Sequence, residues 1–116
     1  MFIRTMVCGK IHKIKVTDAC LDYEGSITVD WRLLNRASIR EYEQVHVLNV
    51  TNGQRFVTYA INGDLGEVCV NGAAARKVSI GDELIILSYV QMSEVPSNYH
   101  PIIVRPEDIK TFYIDN

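Results

Sequence analysis

Val45-His46-Val47-Leu48-Asn49-Val50-Thr51-Asn52-Gly53-Gln54-Arg55-Phe56-Val57-Thr58-Tyr59-Ala60-Ile61 sets the architecture of this chain. Val45, Val47 and Val50 mark a strand, because β-branched side chains pack well on a pleated surface. Asn52-Gly53 is the strongest turn signal in the sequence, both residues tolerating the positive φ of a tight hairpin turn. It predicts a hairpin that returns through Arg55 to Ile61. Alternation along the returning strand puts Arg55, Val57 and Tyr59 on one face and Thr58 on the other.

Toward the N-terminus, Phe2 to Val7 and Lys10 to Thr17 read as extended, the second with Ile14 and Val16 alternating against Lys13 and Lys15. Ser26 to Asp30 is another short strand. Asp30 can cap a brief helix from Trp31 to Ala37, with Trp31, Leu34 and Ala37 on one face. Toward the C-terminus, the polar loop Asn62-Gly63-Asp64 precedes a strand from Glu67 to Val70. Asn71-Gly72-Ala73-Ala74-Ala75 is a small-residue turn, and Ile80-Gly81-Asp82 leads into the β-branched strand Glu83 to Val90. The tail from Gln91 onward holds all three prolines and reads as loop plus one or two edge segments. Many short strands, tight turns and little helix predict an all-β fold: a small closed barrel in one domain over residues 1–116.

Composition narrows the function. With 116 residues, 47% hydrophobic and 22% charged, the chain has a globular make-up. Its net charge of -2 and scattered lysines and arginines argue against a nucleic-acid surface. Cys8, Cys20 and Cys69 form no C-x-x-C pair, and with His12, His46 and His100 they suggest no metal site. Arg4 interrupts the apolar N-terminal stretch, so no signal peptide is expected. The longest strongly apolar run, around Leu84 to Leu87, is too short for a bilayer. A soluble cytoplasmic protein is the expectation, with reduced thiols and neither membrane nor nucleic acid as partner.

Several positions could do chemistry. In Tyr23-Glu24-Gly25-Ser26, the Ser26 hydroxyl lies within reach of the unhindered Gly25 carbonyl. Its attack would turn the amide into an ester. Elimination and hydrolysis would then leave an N-terminal ketone, a pyruvoyl group, on the second fragment. Gly-Ser is also an ordinary turn dipeptide. Arg55 and Tyr59 share a strand face roughly 13 Å apart along the backbone, and their long side chains can converge on a small ligand. Alternatively Arg55 reaches to solvent and Tyr59 is half-buried packing. Lys10 could offer a cation to a carboxylate or be one of several surface lysines. Asn71-Gly72-Ala73-Ala74 could present main-chain N–H groups to a ligand or pack as a tight turn. No phosphate-binding glycine motif is present.

Seven stretches in order and spacing resemble the pyruvoyl-dependent aspartate 1-decarboxylase family. They are Ile3-Arg4-Thr5-Met6, Gly9-Lys10-Ile11-His12, Lys15-Val16-Thr17, Tyr23-Glu24-Gly25-Ser26, Asn49-Val50-Thr51-Asn52-Gly53, Arg55-Phe56 with Thr58-Tyr59-Ala60-Ile61, and Val70-Asn71-Gly72-Ala73-Ala74-Ala75. The resemblance implies a double-psi β-barrel that assembles as a homotetramer with sites between subunits. It also implies a precursor that cuts itself between Gly25 and Ser26, into a β-chain of residues 1–25 and an α-chain of 26–116. The implied cofactor is the pyruvoyl group formed from Ser26, without pyridoxal phosphate or metal. The implied reaction converts L-aspartate to β-alanine and CO₂ for pantothenate and coenzyme A synthesis.

By position, Tyr59 matches the proton donor and Thr58 the group that polarises the Gly25 carbonyl. Lys10 and Arg55 match the carboxylate-binding positions. Thr58, Asn71, Gly72, Ala73 and Ala74 match the substrate contacts, with Tyr23 lining the same region. Ile27-Thr28-Val29 and Leu48 depart from the pattern, as does the tail after Gln91. Two other readings remain at this point: a non-catalytic barrel serving as a binding module, and a pyruvoyl decarboxylase for another acidic amino acid such as glutamate. A maturation partner protein is also compatible with the sequence.

Overall fold

The computed structural model describes residues 1–109. Eight strands form one sheet in the order β2-β6-β3-β5-β4-β7-β1-β8. They are β1 (Arg4–Lys15), β2 (Asp18–Cys20), β3 (Ser26–Asp30), β4 (Gln44–Asn49), β5 (Arg55–Gly63), β6 (Val68–Asn71), β7 (Glu83–Met92) and β8 (Ile102–Val104). β1 passes into β2 across Val16 and Thr17 alone. The Val16 N–H donates to the Asp82 carbonyl at 2.9 Å and the Thr17 N–H to that of Val68 at 2.8 Å. The chain is thereby handed from the β7 side to the β6 side, and the sheet closes into a small barrel.

The inward-facing residues are those that alternation selects. Ile11, Ile27, Val29, Val45, Val47 and Ile86 are all fully buried. A short helix, α1 (Trp31–Arg36), covers one end through Leu33 and Leu34. Asp30 caps it as the sequence suggests, accepting from the Arg32 N–H at 2.8 Å. Trp31, expected on the packed face, is instead 50% exposed. So short a helix docks through the adjacent pair Leu33 and Leu34 together with Ala37, which turns Trp31 outward.

Several other boundaries differ from the sequence reading. The two N-terminal segments are one strand, β1, whose pairing with β7 shifts register between Val7 and Lys10 and again between Ile11 and Ile14. Val50 lies beyond β4, and Asn62 and Gly63 belong to β5 rather than to a loop. The small-residue turn is a 3₁₀ helix, Gly72–Lys77. In the tail, β8 pairs parallel to Gly9–Ile11 of β1, and the Tyr99 hydroxyl donates to the Val7 carbonyl at 2.6 Å. No helix among the described residues is long and apolar enough to cross a membrane.

Candidate active site

β3 supplies the centre of the site. Ile27 and Val29 point into the core, so Ser26 and Thr28 face outward. Ser26 opens the strand at 6% exposure, while Gly25 before it is exposed. The Gly25–Ser26 peptide therefore straddles the boundary between solvent and packed protein. The Ser26 hydroxyl donates a long hydrogen bond, 3.4 Å, back to the Glu24 carbonyl. It accepts one from Asn71 Nδ2 at 3.1 Å, and the same amide nitrogen donates to Thr28 Oγ1 at 3.2 Å. These contacts follow from antiparallel pairing of β3 with β6, which sets Ser26 opposite Asn71 and Thr28 opposite Cys69.

Two glycines meet here for different reasons. A Cβ on Gly25 would touch nothing within 4 Å, so packing does not demand glycine there. Gly72 has φ +74°, and a Cβ on it would lie 2.7 Å from both Gly25 Cα and Gly25 N, and 3.0 Å from the Tyr23 carbonyl oxygen. Only glycine allows the 3₁₀ turn to lie directly on the Tyr23–Gly25 segment. Ala73 is exposed beside it, and Ala74 packs against the core.

On the other edge of β3, β5 runs parallel, with Ile27 opposite Ala60. Tyr59 and Thr58 are the two residues of β5 that come before this ladder, as Ser26 and Gly25 come before it on the other side. Tyr59 faces outward and Thr58 inward, as alternation requires with Ala60 buried. The Tyr59 ring leans on Tyr42, with centroids 6.4 Å apart. Tyr42 holds that place through its own N–H, which donates to the Ala60 carbonyl at 2.7 Å.

Lys10 and Arg55 are not brought to Ser26 within the chain. Arg55 opens β5 opposite Leu48, four residues before Tyr59. Lys10 lies around the barrel on β1, opposite Leu87 of β7, which in turn lies opposite His46 of β4 and then Val57 of β5. Both cations share the outer face of that half of the sheet with Leu87, Tyr89 and the exposed Val57. Lys10 is placed by the irregularity before it. The Gly9 N–H donates to Ser88 Oγ at 3.0 Å, and Gly9 packs against the Ala37 carbonyl, where no side chain would fit. On the same strand, burial together with Lys10, Lys13 and Arg105 lowers the His12 pKa below its ordinary value.

The Asn49-Val50-Thr51-Asn52-Gly53 motif proves to be scaffold. Asn49 Nδ2 donates to Asp82 Oδ2 at 2.8 Å and to the Lys77 carbonyl at 3.1 Å, and Asn52 Nδ2 reaches that carbonyl at 3.0 Å. The hairpin that launches Arg55 thus also anchors the end of the 3₁₀ helix beginning at Gly72. Tyr42, Thr28 and Cys69 were not among the sequence candidates. Period-two alternation of β3 and β6 places Thr28 and Cys69 on the Ser26 face once the pairing is known. Nothing local signals Tyr42.

Comparison with known proteins identifies relatives of this chain. The model of the aspartate decarboxylase family matches residues 1–112. A protein named aspartate 1-decarboxylase from Campylobacter hominis is 52% identical over 102 residues, covering 87% of this chain and 90% of the relative. One of the same name from Campylobacter fetus subsp. fetus is 52% identical over 102 residues, covering 86% and 89%.

Proposed function

The chain belongs to the aspartate decarboxylase family, and on that premise we propose that it releases the α-carboxyl group of L-aspartate as CO₂. The product, β-alanine, feeds pantothenate and coenzyme A synthesis in the cytoplasm. The observation that carries this reading is the setting of Ser26: a nearly buried hydroxyl, held by Asn71, directly after an exposed glycine with open space where a side chain would stand.

That setting fits self-cleavage. Ser26 Oγ attacks the Gly25 carbonyl carbon, and the C–N bond between the two residues breaks to give an ester. Loss of the Ser26 α-proton then expels Gly25 as a carboxylate, and water replaces the nitrogen, which departs as ammonia. Thr58, two residues before the β5 end of the ladder with β3, polarises the Gly25 carbonyl, and Asn71 supports the serine oxygen. The resulting pyruvoyl group supplies a ketone that takes up the substrate amine and accepts the electron pair left by CO₂.

The remaining residues bind and orient. Main-chain N–H groups of Gly72, Ala73 and Ala74, with Asn71 and Thr58, hold the substrate beside residue 26. Arg55 and Lys10 bind carboxylate, the guanidinium fork giving aspartate its advantage over neutral amino acids. Their position on an outer face, away from Ser26 of their own chain, suits a site shared between neighbouring copies in a homotetramer. Tyr59 returns the proton to the α-carbon.

Mass spectrometry of the matured protein is expected to find residues 1–25 and 26–116 as separate fragments, the second reacting with hydroxylamine at residue 26. A chain that stays whole and releases no CO₂, even after incubation with cell extract as a source of maturation helpers, rejects the proposal. Aspartate is expected to outrun glutamate by roughly 10-fold or more, one methylene being worth about 1–3 kcal/mol. Tyr59→Phe separates the two stages. It is expected to cut normally while kcat falls by about 10²–10⁴, measured as CO₂ release from fully cleaved protein.

A further inference from the structure

We propose that Cys69 is a positioning residue for the self-cleavage step, its thiol fixing the Asn71 side-chain amide so that the amide nitrogen, and not the oxygen, faces Ser26. The proposal rests on the self-cleavage reading. Cys69 and Asn71 lie two residues apart on β6 and face the same way, opposite Thr28 and Ser26 on β3. Cys69 Sγ donates to Asn71 Oδ1 at 3.3 Å, and Asn71 Nδ2 donates to both hydroxyls at 3.1 and 3.2 Å. Every polar atom of a nearly buried amide is thus used.

The two hydroxyls alone would not choose this orientation. Each can donate or accept, so they would serve an amide turned either way round. The sulfur distinguishes the ends, because a protonated thiol donates to an oxygen and is only a weak acceptor for an N–H. Burial, with Asp18, Glu67 and Cys20 adding to it, raises the Cys69 pKa and keeps the thiol in its donor form.

Orientation matters when the ester breaks. The Cβ–Oγ bond of residue 26 opens as the α-proton leaves, and the electron pair passes to the oxygen departing with the Gly25 carboxylate. An N–H aimed at that oxygen stabilises the growing charge, whereas an amide oxygen there would oppose it. Cys69 touches neither reacting residue and acts through Asn71.

The test follows the conversion of newly purified full-length precursor to two fragments by mass spectrometry, with melting temperature measured on each variant. Cys69→Ala removes the donor and is expected to slow conversion roughly 3- to 10-fold, the usual weight of one hydrogen bond. Cys69→Ser keeps a donor and is expected to stay within about twofold of the parent rate, whatever its melting temperature. If Cys69→Ala does not fold, Cys69→Val takes its place as the variant without a donor. Conversion at the parent rate in the donor-less variant, or a serine variant as slow as alanine, overturns the proposal. A parent chain that never cuts overturns the self-cleavage reading and this proposal with it, whereas a cutting parent with an unaffected donor-less variant overturns this proposal alone.

Discussion

Ser26→Ala is expected to give a single intact chain that releases no CO₂ from L-aspartate. Without Oγ no nucleophile stands against the Gly25 carbonyl, so neither the ester nor anything after it can form. The loss should not come from unfolding. Ser26 is packed at the start of β3, alanine fits the same space, and two side-chain hydrogen bonds are removed, from Asn71 and to Glu24. At about 1 kcal/mol each, these are small beside the stability of a domain. Mass spectrometry with thermal melting checks both halves: one uncut species, melting close to the uncut parent. β-alanine produced by the alanine variant would place the chemistry elsewhere than residue 26.

The second large effect is on stability. Asp30→Ala is expected to cost about 3 kcal/mol, the lower end for breaking a buried charge pair, read as a shifted midpoint in urea. The Asp30 side chain is fully buried, with the partly buried Arg32 Nη2 donating to it at 2.7 Å. Its Oδ2 also accepts from the Gly66 N–H at 2.7 Å, and its Oδ1 from the Arg32 N–H at 2.8 Å. One carboxylate thus caps α1 and ties the β5–β6 connection to the end of β3. The effect stays at the low end because Arg32 is 17% exposed and can turn toward water.

Burial alone would raise the Asp30 pKa, but the Arg32 side chain, the Gly66 and Arg32 N–H groups and the Arg32 charge together hold it below 3.8. The unfolded chain therefore binds this proton first as pH falls. The carboxylate's contribution is fully present above 3.8 and is lost as pH drops through the lower folded value. Asp30→Asn should remove that part of the acid dependence.

How much of this could be read from the chain varies with the kind of contact involved. The hairpin around Asn52-Gly53, the strand Ser26–Asp30 and its cap on α1 are local, and turn chemistry and alternation find them. The break inferred at Cys8-Gly9 is a disturbance inside one strand, because pairing with β7 carries β1 across it. Trp31 was misplaced because a helix this short docks on adjacent residues rather than along a stripe. At the site, Ser26 and Asn71 meet through the long-range pairing of β3 with β6, while Thr58 and Tyr59 lie on β5 just before its own pairing with β3 begins. Local pattern fixes no such register, so Thr28, Cys69 and Tyr42 came to light only with the sheet.

The passage from β1 into β2 has a bearing on the cut protein. Both strands lie before residue 25, in the shorter piece of the proposed cut, yet β1 is gripped by β7 on one side and β8 on the other, and β2 by β6. Severing the backbone after Gly25 leaves that piece threaded through the closed wall like a stave in a cask. Once denatured, however, the two pieces must find each other again by diffusion. Recovery then becomes a second-order event that dilution penalises, so maturation exchanges a folding equilibrium within one chain for one between two.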